Sequence, residues 1–372
     1  MIKQFSDNDV YYNDDNVLLY HGHVLNVLKT FPDCSVHCVV TSPPYWGLRS
    51  YLEQGHPDKS LEIGNESCLE EYIDKLVDIF EQVKRILRDD GALWLNLGDC
   101  YKAKQLLGIP WKVAFALQKK GWCLRSDCIW AKPNPMPESV KDRPTASHEY
   151  VFLLSKSKQY YYDNSGYKEE NTEGSKKRFG KSAVISIDNR KYAGMDGESL
   201  ASAGSKMPCW FDGGKVMRTV WNIPTEGCKE AHFATFPQHL VERCVKVGTS
   251  EKGCCPDCQT PYKRIVGRER RPTRPGLANV LDDTGKANRD VLRHVTKIVT
   301  TGWEPGCACG SVKERHKCVV LDPFMGTGRT GIVALKNNRN FIGIDLVEDY
   351  CAMVKKNIKT ESRRMKYRFD CV

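Results

Sequence analysis

Apolar positions in the N-terminal part of the chain follow two alternating patterns. Short continuous apolar runs bounded by turn residues are typical of buried strands, and apolar residues spaced three and four apart are typical of amphipathic helices. Strands are predicted at 17–20, 38–41, 92–97, near 128–130 and at 150–154, and helices at 24–30, 69–87 and 110–120. Ser67 and Glu70 predict a capping box at the start of the longest helix, and Asp89-Asp90-Gly91 predicts a turn after it. Strands that alternate with helices favour a parallel α/β sheet.

Two long polar stretches separate this part from a second α/β segment near the C-terminus. Residues 163–230 and 250–317 lack a regular apolar pattern, which predicts surface insertions. A helix is predicted at 238–246 between them, and beyond them strands at 319–321 and 340–344 and helices at 328–337 and 347–359. We therefore predict one sheet that is built from both ends of the chain.

The composition fits a globular protein and narrows its location and partners. Hydrophobic residues make up 41% of the chain and charged residues 27%, which excludes a mainly disordered chain. No segment has the roughly 20 apolar residues of a membrane span, and the first residues lack the apolar core of a signal peptide, so we expect a cytoplasmic protein. A net charge of +10 suits a polyanionic partner. Without a secretion signal, 17 cysteines predict buried thiols and one metal site rather than disulfides.

A turn that contains glycines predicts a site for a nucleoside-containing cofactor. The string from Leu321 to Gly328 joins a predicted strand to a helix, and its glycines allow backbone N–H groups to approach a ligand at the helix N-terminus. The next strand ends at Asp345, and an acid at this spacing typically binds ribose hydroxyls. Gly331 supplies a third glycine, so a dinucleotide site is the alternative at this point.

A proline-rich loop after a predicted buried strand favours a planar amine as the substrate. Ser42-Pro43-Pro44-Tyr45 contains two prolines, which make the loop rigid and leave carbonyl oxygens directed outward. The Ser42 hydroxyl and the Pro43 carbonyl are suited to accept the N–H bonds of an amine while Tyr45 stacks on its ring. For the Pro-Pro pair alone, an ordinary strand terminator is the alternative interpretation.

The order of these strings resembles that of the permuted, β-class DNA amino-methyltransferases, which use S-adenosylmethionine. In this chain Ser-Pro-Pro-Tyr precedes Asp-Pro-Phe-Met-Gly-Thr-Gly. The likeness continues through Trp94 to Asp99, Trp130 to Ser139, His148 to Tyr150 and His232 to Pro237, and it excludes only the two insertions. It implies a Rossmann-like, doubly wound, mostly parallel α/β sheet, the class I methyltransferase fold in circularly permuted form.

The resemblance also implies a role for each matching residue. The implied cofactor-binding residues are Asp322 near the methionine end, Phe324, Gly326 and Gly328 in the loop, Asp345 at the ribose, and Thr235, Phe236 and Pro237 in a segment that closes over the cofactor. The implied catalytic residues are Ser42, Pro43, Pro44 and Tyr45. Gly22-His23 stands where relatives often have Gly-Asp, and Ser50 where an Asp is frequent, so no role is carried over to these positions.

Five parts of the chain follow from the resemblance and the two insertions. Residues 1–162 are the catalytic part of the core, 163–230 a target-recognition insertion, 231–249 the cofactor-closing segment, 250–317 a zinc-ribbon insertion and 318–372 the cofactor-binding part of the core. Both insertions carry basic residues, which suit phosphate contacts with double-stranded DNA. They are Lys176, Lys177, Arg178, Lys181, Arg190 and Lys191 in the first, and Lys263, Arg264, Arg268, Arg270, Arg271 and Arg274 in the second.

Two close pairs of cysteines in the second insertion predict a structural zinc site. The pairs are Cys255-Pro-Asp-Cys258 and Cys307-Ala-Cys309. Four thiolates are enough for a closed tetrahedral site, which would hold together an insertion that is too polar to fold alone. Unpaired thiols are the alternative, and Cys254 is a substitute ligand.

The predicted function is site-specific DNA methylation. The resemblance implies transfer of a methyl group from S-adenosylmethionine to the exocyclic amine of a flipped base, as in a restriction-modification system with a cognate endonuclease. Ser42 before Pro-Pro-Tyr resembles the cytosine-N4 subgroup, and adenine N6 is the alternative target. An inactive DNA-binding protein and a methyltransferase acting on amines of RNA or protein are further alternatives.

Overall fold

The computed structural model describes Phe5 and residues 10–171, 210–211, 214–227, 236–272 and 294–369. The strands are β1 Val10–Asp14, β2 Val17–His21, β3 Val36–Thr41, β4 Leu87–Leu97, β5 Tyr101–Lys102, β6 Gln105–Leu106, β7 Cys123–Ala131, β8 His148–Ser155, β9 Lys168–Glu169, β10 Trp210–Phe211, β11 Lys215–Val216, β12 Val220–Asn222, β13 Lys263–Pro272, β14 His294–Glu304, β15 Val319–Asp322 and β16 Asn340–Asp345. The helices are α1 Val24–Lys29, α2 Leu69–Ile86, α3 Ile109–Lys119, α4 Gln238–Gly248, α5 Arg329–Lys336 and α6 Glu348–Phe369, with a 3₁₀-helix at Pro57–Leu61.

The main sheet has nine strands in the order β1-β2-β16-β15-β3-β4-β8-β7-β12. The five strands from β2 to β4 are mutually parallel, and β8 runs antiparallel to both of its neighbours. The C-terminal strands β15 and β16 lie between the N-terminal strands β2 and β3. This order confirms the predicted permuted, mostly parallel α/β sheet assembled from both ends of the chain.

Two series of helices cover the sheet. Helices α1, α2 and α3 contact one another in sequence, and α4, α5 and α6 form a second series in which α4 also packs against β3 and β4. The parallel strands are buried along almost their whole length, as in β3, whose six residues are all buried. Continuous apolar strands covered by helices are typical of parallel sheets.

Three local predictions were wrong. Helix α2 begins after Cys68, whose side chain makes no capping hydrogen bond, and Ser67 donates to the Glu71 side chain instead of forming a box with Glu70. Residues 89–91 do not form a turn between the helix and a strand. They lie inside β4, which begins directly after α2. Within the stretches read as irregular, β12 extends the main sheet and β13 and β14 pair with each other.

The chain divides into two compact units. The first comprises residues 1–167, 218–263 and 305–372 and contains the main sheet. The second comprises 168–217 and 264–304, where Arg264 lies 4.3 Å from the centre of the Trp303 ring and donates to Thr300. In the described part of the chain, no helix combines the length and apolar character needed to cross a membrane.

Candidate active site

A cavity of about 370 Å³ lies at the carboxyl ends of the parallel strands in the first unit. Ser42 and Tyr45 enter its wall from the loop after β3, Phe324 and Gly326 from the loop after β15, and Asp345 from the end of β16. In open α/β sheets the carboxyl ends of the strands form the usual ligand crevice. The two strings that the sequence singled out therefore line one cavity.

The Asp345 carboxylate organises the part of this cavity where a cofactor was predicted. It accepts a hydrogen bond from Gly326 N at 2.8 Å on one oxygen and from Val347 N at 3.0 Å on the other. Gly326 has a φ of 46°, a left-handed conformation that favours glycine. Burial raises the pKa of Asp345 to about 7, although the two N–H donors act in the opposite direction. The group is therefore poised to respond to a ligand that donates hydrogen bonds to it.

Three predicted cofactor residues do not line the cavity. Asp322 is fully buried, with its carboxylate bonded to the hydroxyls of Thr41 and Thr330 at 2.7 Å each. It also accepts a hydrogen bond from the backbone N–H of Phe324, which stabilises the conformation of the loop after β15. Gly328 caps α5, where a Cβ would lie 2.7 Å from Val354, and Pro237 caps α4.

Of the other two residues predicted in the segment that closes over the cofactor, only Phe236 is among the described residues. Phe236 lines the cavity. Thr235 lies outside the described residues. Arg329 forms an ion pair with Glu226, and both residues also line the cavity.

Binding of an S-adenosyl cofactor is expected to depend on pH through Asp345. Ribose hydroxyls donate hydrogen bonds, so they favour the ionised carboxylate, which predominates above the pKa of about 7. Affinity should fall by up to about tenfold per pH unit below that value. In Asp345→Asn it should be weaker at pH 8 by about 1.5–3 kcal/mol, and nearly independent of pH. Calorimetric titration with the cofactor between pH 5.5 and 8 measures both; equal affinity and equal slopes for the two proteins would contradict the assignment.

The part of the cavity around Ser42 and Tyr45 contains an ordered chain of hydrogen bonds. Ser42 Oγ donates to the Tyr45 hydroxyl at 3.2 Å, and Tyr45 donates to Glu149 Oε2 at 2.7 Å. Asn96 Nδ2 donates to the Tyr45 hydroxyl at 2.9 Å and to Glu149 Oε2 at 2.7 Å. Burial and the charge of Glu149 raise the pKa of Tyr45 well above its usual value, so the phenol stays neutral.

Lys132 completes this cluster from the end of β7. Its ammonium pairs with Glu149 Oε1 and lies 4.5 Å from the centre of the Trp130 ring. Asn96 is 3% exposed, and its Oδ1 has no hydrogen-bond partner among the described residues. A buried acceptor of this kind carries a desolvation cost unless a ligand supplies a donor.

The shape of the Ser-Pro-Pro-Tyr loop follows from its packing. The Pro44 carbonyl accepts a hydrogen bond from the Tyr72 hydroxyl at 2.8 Å, which anchors the loop to α2. At Gly98 a Cβ would lie 2.7 Å from the Tyr45 ring, so this position admits the ring only because it has no side chain. One edge of Tyr45 is thus fixed against the backbone after β4.

Asn96, Lys132 and Glu149 were not among the residues predicted for the site. Each belongs to a string that carried the resemblance, and each is a polar residue at the end of an apolar strand. Glu149 is at the start of β8, and because β8 is antiparallel its start lies at the carboxyl edge of the parallel strands. The signal in the sequence was a polar residue next to a buried strand. It places that residue at the site only when the direction of the strand is known.

The sheet has the permuted strand order that the resemblance implies for a class I methyltransferase fold. The loop from Ser42 to Tyr45 and the Asp345–Gly326 pair line one cavity at its edge. Residues 36–258 and 312–356 match the family described as DNA methylase. The chain belongs to this DNA methylase family. The family predicted from the sequence is confirmed, and the dinucleotide-binding alternative is set aside.

Curated relatives agree along most of the chain. It is 32% identical to Type II methyltransferase M.Cfr9I of Citrobacter freundii, with 92% of this chain and 88% of the relative covered. It is 35% identical to Type II methyltransferase M.SmaI of Serratia marcescens, with coverage of 86% and 83%.

Among solved structures, the PvuII DNA methyltransferase (cytosine-N4-specific) superposes with a TM-score of 0.54 at 16% identity, with 96% and 95% of the chains covered. At this identity the likeness concerns the fold alone.

Proposed function

We propose that the chain transfers a methyl group from S-adenosylmethionine to the N4 amine of a cytosine flipped out of double-stranded DNA. The observation that carries the proposal is that the Ser42–Tyr45–Glu149 chain and the Asp345–Gly326 pair line the same cavity. A site that orients an amine beside a site for a nucleoside cofactor suits transfer between two bound reactants. Most of the rate then comes from positioning and oriented dipoles.

The residues of the cofactor side fit an adenosyl sulfonium compound. Asp345 would accept the ribose hydroxyls, and Phe324 and Phe236 supply apolar walls in the same cavity. The cofactor supplies, when bound, an electrophilic methyl group on a positively charged sulfur.

The serine loop would make the target amine nucleophilic. The lone pair of an exocyclic amine is delocalised into the aromatic ring, so the planar amine is a weak nucleophile. Ser42 Oγ donates its proton to Tyr45 and accepts from Asn96 Nδ2 at 3.3 Å, which leaves one lone pair for an amine N–H. A second N–H bond to the Pro43 carbonyl would favour a pyramidal nitrogen, whose lone pair is free to react. Because the duplex buries this amine, the base must be flipped into the cavity.

The hydrogen-bond chain provides a route for the proton that the amine loses. The amine proton passes to Ser42 Oγ, the Ser42 proton to the Tyr45 hydroxyl, and the Tyr45 proton to Glu149 Oε2. The Ser42 and Tyr45 hydroxyls already donate to the next acceptor in the route, so neither has to rotate before the transfer. Glu149 ends neutral, and Lys132 stabilises its charged form before the transfer. Glu149 is therefore the final base of the reaction in this proposal.

Cytosine is favoured over adenine as the target by Ser42 before Pro-Pro-Tyr. Both bases present an aromatic amine beside a ring nitrogen, so adenine N6 remains the second candidate. Since the relatives named above are Type II methyltransferases, we further propose that methylation protects the recognition site from a cognate endonuclease. Lys263, Arg264 and Arg268 are described basic residues suited to phosphate contacts, whereas Arg274 and the six basic residues of the first insertion lie outside the described residues.

Transfer of a radiolabelled methyl group tests this function. The wild-type chain should label duplex DNA and should leave RNA and protein unlabelled. Ser42→Ala should lower turnover more than it lowers DNA affinity, because its hydrogen bond matters most as the nitrogen becomes pyramidal. Labelling of RNA or protein in preference to DNA would contradict the proposal.

A further inference from the structure

Four cysteines of the second insertion, all within the first compact unit, form a cluster. The sulfur atoms of Cys255, Cys258, Cys307 and Cys309 all lie within 4.8 Å of one another. In a tetrahedral site with metal–sulfur bonds of about 2.3 Å, neighbouring sulfurs are about 3.8 Å apart. The four sulfurs are thus already near the separation that one metal ion would impose.

The backbone at each cysteine pair has the form of a tight knuckle. Gln259 follows Cys258 with a φ of 61°, and Gly310 follows Cys309 with a φ of 62°. The first knuckle is closed by a hydrogen bond from Gln259 N to the Cys255 carbonyl at 2.9 Å. A left-handed glutamine is strained, and such strain persists only where the surroundings determine the conformation. Both turns direct their two sulfurs toward the same point.

The first knuckle is docked on the main sheet. Arg88 of β4 donates to the Cys258 carbonyl at 2.8 Å, and Arg88 is itself paired with Asp90. His37 Nε2 bonds to the Gln259 carbonyl at 2.9 Å. The cysteine cluster therefore has one side fixed to the core, which suits a structural site.

A neighbouring cluster of His37, Cys254 and Cys318 is not suited to a metal. His37 Nδ1 accepts the backbone N–H of Val319 at 3.1 Å, so its other ring nitrogen carries the proton that it donates to Gln259. Neither nitrogen has a lone pair left for an ion. Cys254, the substitute ligand named from the sequence, belongs to this second cluster, and the four-cysteine set is complete without it.

We propose that Cys255, Cys258, Cys307 and Cys309 bind one structural zinc ion as thiolates. Four thiolates leave no open position for a substrate, and soft sulfur ligands in tetrahedral arrangement select zinc or iron among common metals. The chain leaves this cluster at Cys258 toward β13 and returns from β14 to Cys307. Zinc would therefore link Cys255 and Cys258 to Cys307 and Cys309, and Arg88 and His37 hold the first of these pairs beside the main sheet.

Metal analysis of the purified chain and two variants tests the site. Protein purified without chelator should contain about one zinc and no iron per chain. Cys258→Ser and Cys307→Ser should each lose most of the zinc. Cys68→Ser is the matched control, because this thiol is exposed and outside the cluster. Absence of zinc, stoichiometric iron, or full zinc in both variants would overturn the proposal.

A spectroscopic measurement on the wild-type chain removes the dependence on variants that fail to fold. Protein produced in cobalt-supplemented minimal medium should show the intense visible bands and the sulfur-to-cobalt charge-transfer absorption of a tetrahedral thiolate site. Weak bands of octahedral cobalt, or no bound cobalt, would contradict four thiolate ligands. The metal site and the methyl-transfer site are tested separately, since neither measurement depends on activity.

Discussion

We expect Glu149→Gln to lower the single-turnover rate of methyl transfer by about 10²-fold or more, the contribution typical of a positioned general base. Glutamine keeps the size of the side chain and an oxygen that accepts from Tyr45, but it cannot take up the amine proton. Cofactor affinity should be unchanged, because the residues proposed to bind the cofactor, Asp345 and Gly326, lie at the ends of β16 and β15, whereas Glu149 lies in β8. The rate is measured with saturating cofactor and duplex DNA, together with calorimetric cofactor binding.

Glu138→Gln is the matched control for this substitution. Glu138 pairs with Arg143 and does not line the cavity, so this variant should retain the wild-type rate. A wild-type rate in Glu149→Gln would remove Glu149 from the proton route. A loss of cofactor binding instead would mean that the carboxylate shapes the cavity rather than accepting the proton.

The second large effect is expected at Tyr45, where two substitutions separate two roles. Tyr45→Phe keeps the ring against Gly98 and removes the hydroxyl that connects Ser42 with Glu149. We expect it to lower the rate by roughly tenfold or more, which corresponds to about 1.4 kcal/mol per decade, with little change in DNA affinity. Tyr45→Ala should in addition weaken binding of the flipped base by about 1–3 kcal/mol through lost stacking.

Fluorescence of 2-aminopurine at the target position reports base flipping in both variants. Tyr45→Phe should flip the base as the wild type does, whereas Tyr45→Ala should flip it less. If Tyr45→Phe transfers methyl groups at the wild-type rate, the proton does not pass through the phenol. If both variants flip the base equally, Tyr45 does not stack on it.

The sheet was predictable because parallel strands covered by helices must be apolar along their length. One prediction within the sheet was wrong: Asp89-Asp90-Gly91 has the composition of a turn but lies inside β4. The register between β3 and β4 shifts between Val36 and Cys38, so that residues 88–91 of β4 have no paired residue in β3 except His37. A Cβ at Gly91 would lie 2.7 Å from the Leu87 side chain, which explains the glycine without a chain reversal.

The site was predictable where a motif follows directly after a parallel strand. Ser42 and Asp345 lie at the carboxyl ends of β3 and β16, so strand direction places both in one crevice. Glu149 was missed because an apolar pattern does not reveal that β8 runs antiparallel. The resemblance implied that Asp322 lies near the methionine end of the cofactor, and the sequence does not show that the Thr41 and Thr330 hydroxyls bond its carboxylate.

Nucleoside analysis of methylated DNA tests the central claim most directly. Duplex DNA from cells that express the chain is digested to nucleosides and separated by liquid chromatography with mass detection, with Ser42→Ala as the inactive control. The account predicts N4-methyl-2′-deoxycytidine in the wild-type sample and little or none in the variant sample. N6-methyl-2′-deoxyadenosine in its place, or equal methylation in both samples, would contradict it.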